Sequence, residues 1–211
     1  MSEVKILLVD DHAIVRAGFR GLIEDTPGLS VVGEADSGEK AVDQYRRLRP
    51  DLVILDLVMP RMGGAEALSK ILSFDPNARV IVLSFHDEPS YAKKIIESGA
   101  MGYLTKRADP EFFQDAIKTV MSGERYVEPW LANQILFGRS QDIALTDLLT
   151  GREFEVFLLL AQGYSVSEIS DKLDISPKTV GTYQTRIFQK CKTANLAALA
   201  RLAIRHGFIE A

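Results

Sequence analysis

Short apolar runs alternate with amphipathic segments through the first 122 residues of the chain. The runs predict five strands, and the segments, whose apolar residues recur at helical spacing, predict five helices. The predicted strands are 5–9, 29–35, 52–55, 79–83 and 102–104, and the predicted helices are 14–25, 39–48, 65–73, 91–98 and 110–121. Strands that are apolar on both faces are typical of a parallel sheet with helices on both sides. The pattern therefore predicts an α/β domain made of five strand–helix units.

The alternation ends at residue 122. The following residues hold one segment that predicts a short helix, with Pro129 at its first position and Gly138 after its end. From residue 147 onward the apolar spacing and three capping residues predict four helices and no strand. The capping residues are Thr150, Ser165 and Ser176. We therefore expect an α/β domain over 1–122, a linker over 123–146 and an all-α domain over 147–211.

The composition is that of a globular protein, since 46% of the 211 residues are hydrophobic and 26% are charged. The apolar runs are too short to cross a bilayer, and acidic residues interrupt the first of them. We therefore expect neither a membrane anchor nor a secretory signal. The single cysteine, Cys191, excludes an intramolecular disulfide and suits a reducing compartment, which predicts a cytoplasmic protein.

The formal net charge of −4 is unevenly distributed along the chain. Residues 1–122 carry 15 basic and 19 acidic side chains, whereas residues 147–211 carry 8 basic and 7 acidic ones. No acidic residue occurs between residues 175 and 209. The basic residues of that stretch are Lys178, Arg186, Lys190, Lys192, Arg201 and Arg205. Such a run is either a solvated helix face or the footprint of a polyanion-binding surface, and the charge pattern by itself favours neither.

Polar residues follow the predicted strands at the edge where parallel strand–helix units bind ligands. They are Asp10, Asp11, Asp56, Ser84 and Lys106. Each has an ordinary explanation by itself, and Asp56, for example, could merely cap the turn after its strand. Three carboxylates on one rim would repel one another without a cation, however, and hard oxygen ligands suit Mg²⁺.

A carboxylate beside Mg²⁺ can act as a nucleophile toward phosphorus, which makes Asp56 a candidate phosphoacceptor. The metal ion and Lys106 would stabilise the charge of the transferring phosphoryl group, and Ser84 would hydrogen-bond its oxygens. This joint interpretation is favoured over separate ordinary roles because every one of these residues stands at the same edge of the predicted sheet.

Four segments that hold these residues resemble the receiver domain of two-component response regulators. The segments are ILLVDDHAIVR, VILDLVMPRMGG, VLSFHD and GAMGYLTK. The resemblance implies a flavodoxin-like (βα)5 fold in which a sensor histidine kinase, or a small phosphodonor, phosphorylates Asp56. It also implies that Asp11 and Asp56 bind Mg²⁺ together with the backbone carbonyl of Val58, and that Asp10 acts largely through water.

The same resemblance makes Ser84 and Tyr103 the switch pair. The serine would move toward the phosphoryl group, and the tyrosine would turn inward into the vacated space. From spacing alone, packing of a short strand explains Tyr103 equally well. Arg107 stands where many receivers have proline, which predicts a slightly different turn after Lys106.

The segments on either side of residues 175 and 176 predict a helix-turn-helix, whose second helix enters the major groove of DNA. Val180, Ile187 and Cys191 form the apolar stripe of that helix and should face the core. The outer-face residues are Lys178, Thr179, Thr182, Thr185 and Gln189. Phosphate contacts are expected from Lys178, Arg186, Lys190 and Lys192. Hydroxyls and the glutamine amide can read bases, although Thr179 could simply support the helix start.

The segment LTGREFEVFLLLAQGYSVSEISDKLDISPKTVGTYQTRIFQK resembles the LuxR-type helix-turn-helix of the NarL/FixJ subfamily of regulators. The resemblance implies a four-helix domain that binds double-stranded DNA and forms a homodimer on activation. The last helix would supply the dimer contact, although packing within the domain explains its apolar residues equally well. Gly181 stands where the family commonly has lysine or another polar side chain, and Thr185 where some members have lysine, so base contacts are not carried over to these two positions.

These observations favour a phosphorylation-controlled transcription regulator over two alternatives. A phosphatase of the haloacid dehalogenase type has its nucleophile on the first strand and a second acid two residues later, where this chain has Val58. A flavodoxin-like electron carrier would need a glycine- and hydroxyl-rich loop after the first strand, where this chain is acidic. The family resemblance further implies that the receiver covers the recognition helix until phosphorylation releases it.

Overall fold

The computed structural model describes residues 3–137, 148–205 and 208–209. Within these ranges six parallel strands form one sheet, in the order β2-β1-β3-β4-β5-β6. The strands are β1 Val4–Val9, β2 Leu29–Ala35, β3 Leu52–Asp56, β4 Val80–Ser84, β5 Gly102–Thr105 and β6 Tyr126–Val127. The first five confirm the predicted strands. β6 gives no signal in the sequence because two residues are too few to show a period.

Helices cover both faces of the sheet, as the apolar strands predict. They are α1 Ala13–Glu24, α2 Gly38–Leu48, α3 Gly64–Phe74, α4 Pro89–Glu97, α5 Pro110–Met121 and α6 Pro129–Phe137. Buried residues of α1 and α5 form one core with the sheet, and those of α2, α3 and α4 form the other. α6 occupies the segment for which the sequence predicts a short helix, and it packs beside α4.

The central strand β3 shows why these strands are apolar throughout. Its five residues are all buried, and their side chains alternate between the two cores. Val53 and Leu55 face the core of α2, α3 and α4, whereas Leu52 and Ile54 face that of α1 and α5. A strand buried on both faces fixes the position of the residue that ends it, which is Asp56.

Within residues 149–205 four helices follow: α7 Gly151–Ala161, α8 Val166–Leu173, α9 Pro177–Cys191 and α10 Leu196–Arg205. Reciprocal capping boxes at Thr150 and Ser165 begin α7 and α8, and the Ser176 hydroxyl accepts from the N–H of Thr179 at the start of α9. Gly138, which is predicted to follow the short linker helix, and His206, the predicted last residue of the final helix, lie outside the described residues. Across the described parts of the chain, none of the helices has the length and apolarity needed to cross a membrane.

The helical unit packs against the α/β unit. The ring of Tyr91 on α4 stacks on that of Phe154 on α7, with centroids 4.6 Å apart and an interplanar angle of 19°. Through this contact the hydrophobic core on the α2, α3 and α4 face continues into the core of the helical unit. In the loop after β3, the N–H of Arg61 donates to the carbonyl of Leu173 at 2.8 Å.

Candidate functional site

Carboxylates converge at the carboxyl ends of the neighbouring strands β1 and β3. Asp10 and Asp11 follow β1 directly, and Asp56 is the last residue of β3. One potential ligand atom from each of these residues and from His12 lies within 4.8 Å of the others. The structure therefore brings together the three acids that the sequence places at this edge, and it adds a histidine that the strand pattern does not indicate.

Lys106 lies beside these acids, one residue after β5. Its Nζ is 2.7 Å from Oδ2 of Asp10 and 2.7 Å from Oδ2 of Asp56, and its side chain is 1% exposed. These contacts are ionic, since neither carboxylate oxygen receives a well-aligned hydrogen bond from the ammonium. The single ammonium lowers the cost of burying Asp56 at the end of an apolar strand, but it balances only one of the two carboxylates, so the edge keeps an excess of negative charge.

Burial dominates the electrostatics of Asp56. It raises the pKa of the carboxyl to about 7, against the lowering effect of Lys106, while Asp10 adds to the increase. The N–H of Val58 donates to Oδ1 of Asp56 at 3.3 Å and stabilises the ionised form. A cation bound beside Asp56 would favour the same ionised form.

The buried carboxylate oxygens of the site suit a hard divalent cation. Asp10 Oδ2 and Asp56 Oδ2 contact Lys106, and Asp11 Oδ1 contacts His12, which leaves each carboxylate with lone pairs for an oxygen-preferring ion. His12 is a poorer candidate ligand for Mg²⁺, which prefers oxygen. The backbone N–H of His12 donates to Asp10 Oδ1 at 2.8 Å, and the imidazole Nδ1 lies 2.8 Å from Asp11 Oδ1. This histidine therefore contacts the two carboxylates that follow β1.

Ser84 and Tyr103 lie on the adjacent strands β4 and β5 and are both fully buried. The Ser84 hydroxyl accepts from the N–H of His86 at 3.1 Å, and the Tyr103 hydroxyl donates to the carbonyl of His86 at 2.7 Å. Burial raises the pKa of Tyr103 and lowers that of His86 to about 4, so the phenol and the imidazole are both neutral at pH 7. Both members of the predicted switch pair thus contact the same residue of the β4–α4 loop.

On α9, the apolar stripe faces the core as predicted, because Val180 and Ile187 are fully buried. Exposed side chains on the opposite side are Lys178, Thr182, Thr185, Arg186 and Gln189. Thr179 is half-buried, and its hydroxyl contacts that of Ser176 at 2.8 Å, which fits its alternative role at the helix start.

Two further observations bear on the polar face of α9. Lys190 lies 2.6 Å from Glu153, the glutamate of the α7 capping box, so its ammonium already has a partner within the helical unit. The hydroxyls of Thr182 and Thr185 donate to the carbonyls of Lys178 and Gly181 at 3.0 and 2.9 Å, which leaves their lone pairs to accept. Of the predicted phosphate ligands, Lys178, Arg186 and Lys192 are exposed, whereas Lys190 is half-buried.

Arg152 joins the helical unit to the loop after β3, and the sequence motifs give no hint of this role. Its guanidinium donates to the carbonyls of Met59, Arg61 and Leu173 at 3.3, 3.1 and 3.2 Å. It also pairs with Glu155 at 2.5 Å, and the Glu155 side chain is 2% exposed. Burial raises the pKa of Glu155 to about 6, against the lowering effect of Arg152.

A cavity of about 480 Å³ lies beside this contact, between α3, α4, α7 and α9. Tyr183 and Arg186 line it from α9, and Glu66, Ser69 and Lys94 line it from the α/β unit. The face of α9 that carries Lys178, Thr182, Thr185 and Gln189 stays exposed. The α/β unit therefore approaches only one edge of α9, and the expected cover over the recognition helix does not extend to this exposed face.

Comparisons with known proteins match both units of the chain. The model of the response regulator receiver domain matches residues 6–118, and that of bacterial regulatory proteins of the luxR family matches residues 147–203. Over 211 residues the chain is 41% identical to the response regulator GacA of Pseudomonas aeruginosa and 40% identical to the response regulator UvrY of Escherichia coli. The matches cover 99% of this chain in both cases, and 99% and 97% of the two relatives.

A solved structure of RcsB from Salmonella enterica serovar Typhimurium is also similar to the chain. That protein is bound to the promoter rprA in the presence of the phosphomimetic BeF₃⁻. The similarity has a TM-score of 0.69 at 26% sequence identity, and it covers 95% of this chain and 98% of that one. Both the receiver-like unit and the helical unit thus have counterparts in one protein.

Proposed function

Because the chain belongs to the two-component response regulators with a LuxR-type DNA-binding domain, we propose that phosphorylation of Asp56 controls its binding to double-stranded DNA. The family is one of transcription regulators, which excludes the phosphatase alternative. We assign residues 1–122 to the receiver, 123–146 to the linker and 147–211 to the DNA-binding domain. The single cysteine is consistent with the predicted cytoplasmic location.

The observation that carries this proposal is the buried position of Asp56 between Lys106 and the acids after β1. An oxygen of the Asp56 carboxylate would attack phosphorus on the phosphohistidine of a sensor kinase, or on a small phosphodonor. The new O–P bond replaces the P–N bond of the phosphohistidine, and the imidazole leaves with that electron pair. Lys106 lies close enough to pair with the phosphoryl oxygens once they are attached.

Asp11 and Asp56, with the Val58 carbonyl, would hold Mg²⁺, and Asp10 would contact it largely through water. The convergence of these carboxylates within 4.8 Å, with one ammonium among them, supports that assignment. Bound Mg²⁺ would supply positive charge to the phosphoryl group during transfer. Ser84 and Tyr103 would then exchange their contacts with His86 for the phosphorylated arrangement, which shifts the population between two packings.

For DNA we propose that Lys178 and Arg186 contact phosphates and that Thr182 and Gln189 face base edges, while Thr185 lies at the DNA surface without an assigned base. Thr179 chiefly supports the start of α9, and Lys190 has a smaller part because of its pairing with Glu153. A homodimer would form through α10, whose Leu196 and Ile204 are 44% and 40% exposed. The RcsB complex with promoter DNA supports the proposal that this chain binds DNA.

The test is to treat the full-length protein with acetyl phosphate and Mg²⁺ and to follow phosphorylation by mass spectrometry, dimerisation by light scattering and DNA binding by mobility shift. We expect all three to respond in the wild type and none in Asp56→Ala. Asp51→Asn is the matched control, since Asp51 is an exposed carboxylate immediately before the same strand. Equal dimerisation and DNA affinity with and without the phosphodonor would contradict the proposal.

A further inference from the structure

Glu128 is a buried carboxylate in the linker, where the sequence motifs assign no function. It follows β6 directly, precedes α6 and is 5% exposed. Its Oε2 accepts hydrogen bonds from the backbone N–H and the hydroxyl of Thr105, at 3.1 and 3.0 Å. Its own N–H donates to the carbonyl of Tyr103 at 3.3 Å. One linker residue therefore makes three hydrogen bonds to the end of β5.

Stabilisation of α6 alone does not explain a glutamate at this position. The Glu128 carbonyl accepts the first helical hydrogen bond of α6, from the N–H of Ala132 at 2.9 Å, so residue 128 is the N-cap. Short side chains such as serine are the usual caps because they reach the N–H groups of their own helix. The Glu128 carboxylate instead bonds to Thr105, and a buried carboxylate without a cation is costly. Among the described residues, no lysine or arginine pairs with it.

Thr105 connects Glu128 to the proposed phosphorylation site. It pairs with Ser84 across β4 and β5, and the next residue is Lys106. The N–H of Lys106 donates to the carbonyl of Ser84 at 2.7 Å, while its ammonium contacts Asp56. The end of β5 is thus held by β4 on one side and by Glu128 on the other. Loss of the Glu128 contact would loosen the strand end that carries Lys106.

We propose that Glu128 is a positioning residue for phosphoryl transfer to Asp56, acting through Thr105 on Lys106, and that it joins the linker helix α6 to the site. This inference rests on the proposed phosphorylation of Asp56. Motion of β5 on phosphorylation would pass through Glu128 to the N-terminus of α6. The linker then responds to the site directly as well as through the contacts of the helical unit with the β3–α3 loop.

The first test measures the rate of phosphorylation of the full-length protein by acetyl phosphate and Mg²⁺. We expect Glu128→Ala to be about tenfold slower, because the acceptor of two hydrogen bonds is lost. Glu128→Ser should be equally slow although it still caps α6, and Glu128→Gln should be close to wild type because it keeps an acceptor oxygen for Thr105. Glu124→Ala is the control, since Glu124 is an exposed glutamate in the α5–β6 loop, on the other side of β6.

The second readout is the fluorescence of Trp130, the single tryptophan of the chain, which is 41% exposed and two residues after Glu128. Beryllofluoride with Mg²⁺, a mimic of the phosphoryl group, should change its emission in wild type and Glu124→Ala. The change should be absent in Glu128→Ala and Glu128→Ser and restored in Glu128→Gln. A residue that only stabilises the fold would lower the melting temperature without removing this response.

The outcomes separate this inference from the proposed function. A wild-type protein that takes no phosphoryl group and shows no Trp130 response would overturn both. Wild-type rates and responses in Glu128→Ala and Glu128→Ser would overturn the positioning role alone. If the alanine variant does not fold, the serine and glutamine variants decide, because loss in serine with recovery in glutamine supports the contact with Thr105 and equal behaviour of the two refutes it.

Discussion

The edge around Asp56 and the outer face of α9 use charged side chains in opposite ways. At the edge, the ammonium of Lys106 is buried and lies 2.7 Å from two carboxylates. On α9, Lys178 and Arg186 are exposed. Loss of one partner from a buried ion pair leaves an uncompensated charge, whereas an exposed charge adds little to stability and remains free for a partner. The edge is suited to one fixed arrangement, and α9 is suited to contact with a polyanion.

The contact between the helical unit and the α/β unit also depends on charges that burial holds in one arrangement. Arg152 and Glu155 form a buried pair, and the guanidinium also contacts three carbonyls from both sides of the interface. Charges that are fixed by burial therefore occur at the candidate phosphoacceptor site and where the helical unit meets the β3–α3 loop. The comparison predicts large effects on stability at these two places and effects mainly on DNA affinity along α9.

The largest effect is expected from Lys106→Ala. It should lower the free energy of unfolding by about 4 kcal/mol, because Asp10 and Asp56 lose their buried counter-ion. Lys178→Ala should change it by less than about 0.5 kcal/mol. Urea unfolding in the presence of EDTA measures both, and similar small changes for the two lysines would show that the carboxylates are not fixed by burial.

Arg152→Ala should cost about 3 kcal/mol, because it leaves Glu155 buried without its cation and three carbonyls without their donor. Arg107→Ala is the control, since Arg107 is exposed. Urea unfolding gives the free energies, and small-angle scattering reports whether the two units separate. An unchanged unfolding curve for Arg152→Ala would mean that this contact contributes nothing to the packing of the helical unit against the α/β unit.

The pH dependence of stability should reveal Glu155. Burial raises its pKa to about 6, above the ordinary value of 4.5, so its stabilising contribution is complete below pH 4.5 and is lost as the pH rises through 6. Relative to Glu155→Gln, which does not titrate, the wild type should lose about 2 kcal/mol of its free energy of unfolding as the pH rises from 4.5 to neutral. Chemical unfolding from pH 4.5 to 7.5 measures the difference, and parallel curves would contradict the assignment.

Substitutions on the outer face of α9 should have the smallest effect on stability. Their effect is measured by DNA binding instead. Lys178→Ala should weaken binding evenly across sequences and reduce the slope of log affinity against log salt by about 1. Gln189→Ala should instead change the preference among sequences. Lys190→Ala should leave the slope nearly unchanged because this lysine pairs with Glu153. Equal changes of this slope in Lys190→Ala and Lys178→Ala would contradict the different roles of the two lysines.

The sequence predicts the sheet and its polar edge well because both depend on local patterns. Apolar runs locate the first five strands, and the residues that follow them include Asp10, Asp56, Ser84 and Lys106. Parallel strands bring such residues to one edge whatever the details of packing. Strong local signals also locate the starts of α7 and α8, where both capping boxes form.

The contacts between units could not be predicted in this way. Tyr91 and Phe154 each occupy an ordinary apolar position of their own helix, and periodicity does not tell which apolar side chain packs on another unit. Arg152 and Glu128 look like surface residues in the sequence, because long charged side chains are mostly exposed. Their roles depend on carbonyls and donors that only the tertiary structure brings near.

The stack of Tyr91 on Phe154 has a consequence for the separation of the two units. Because one hydrophobic core runs through this contact, the helical unit and the α/β unit shield apolar surface for each other. Separation of the two exposes aromatic rings on both sides, so any signal that opens the interface must offset the hydration of that surface. The same surface is then available to a new partner, and the opened form should associate more readily than the closed one.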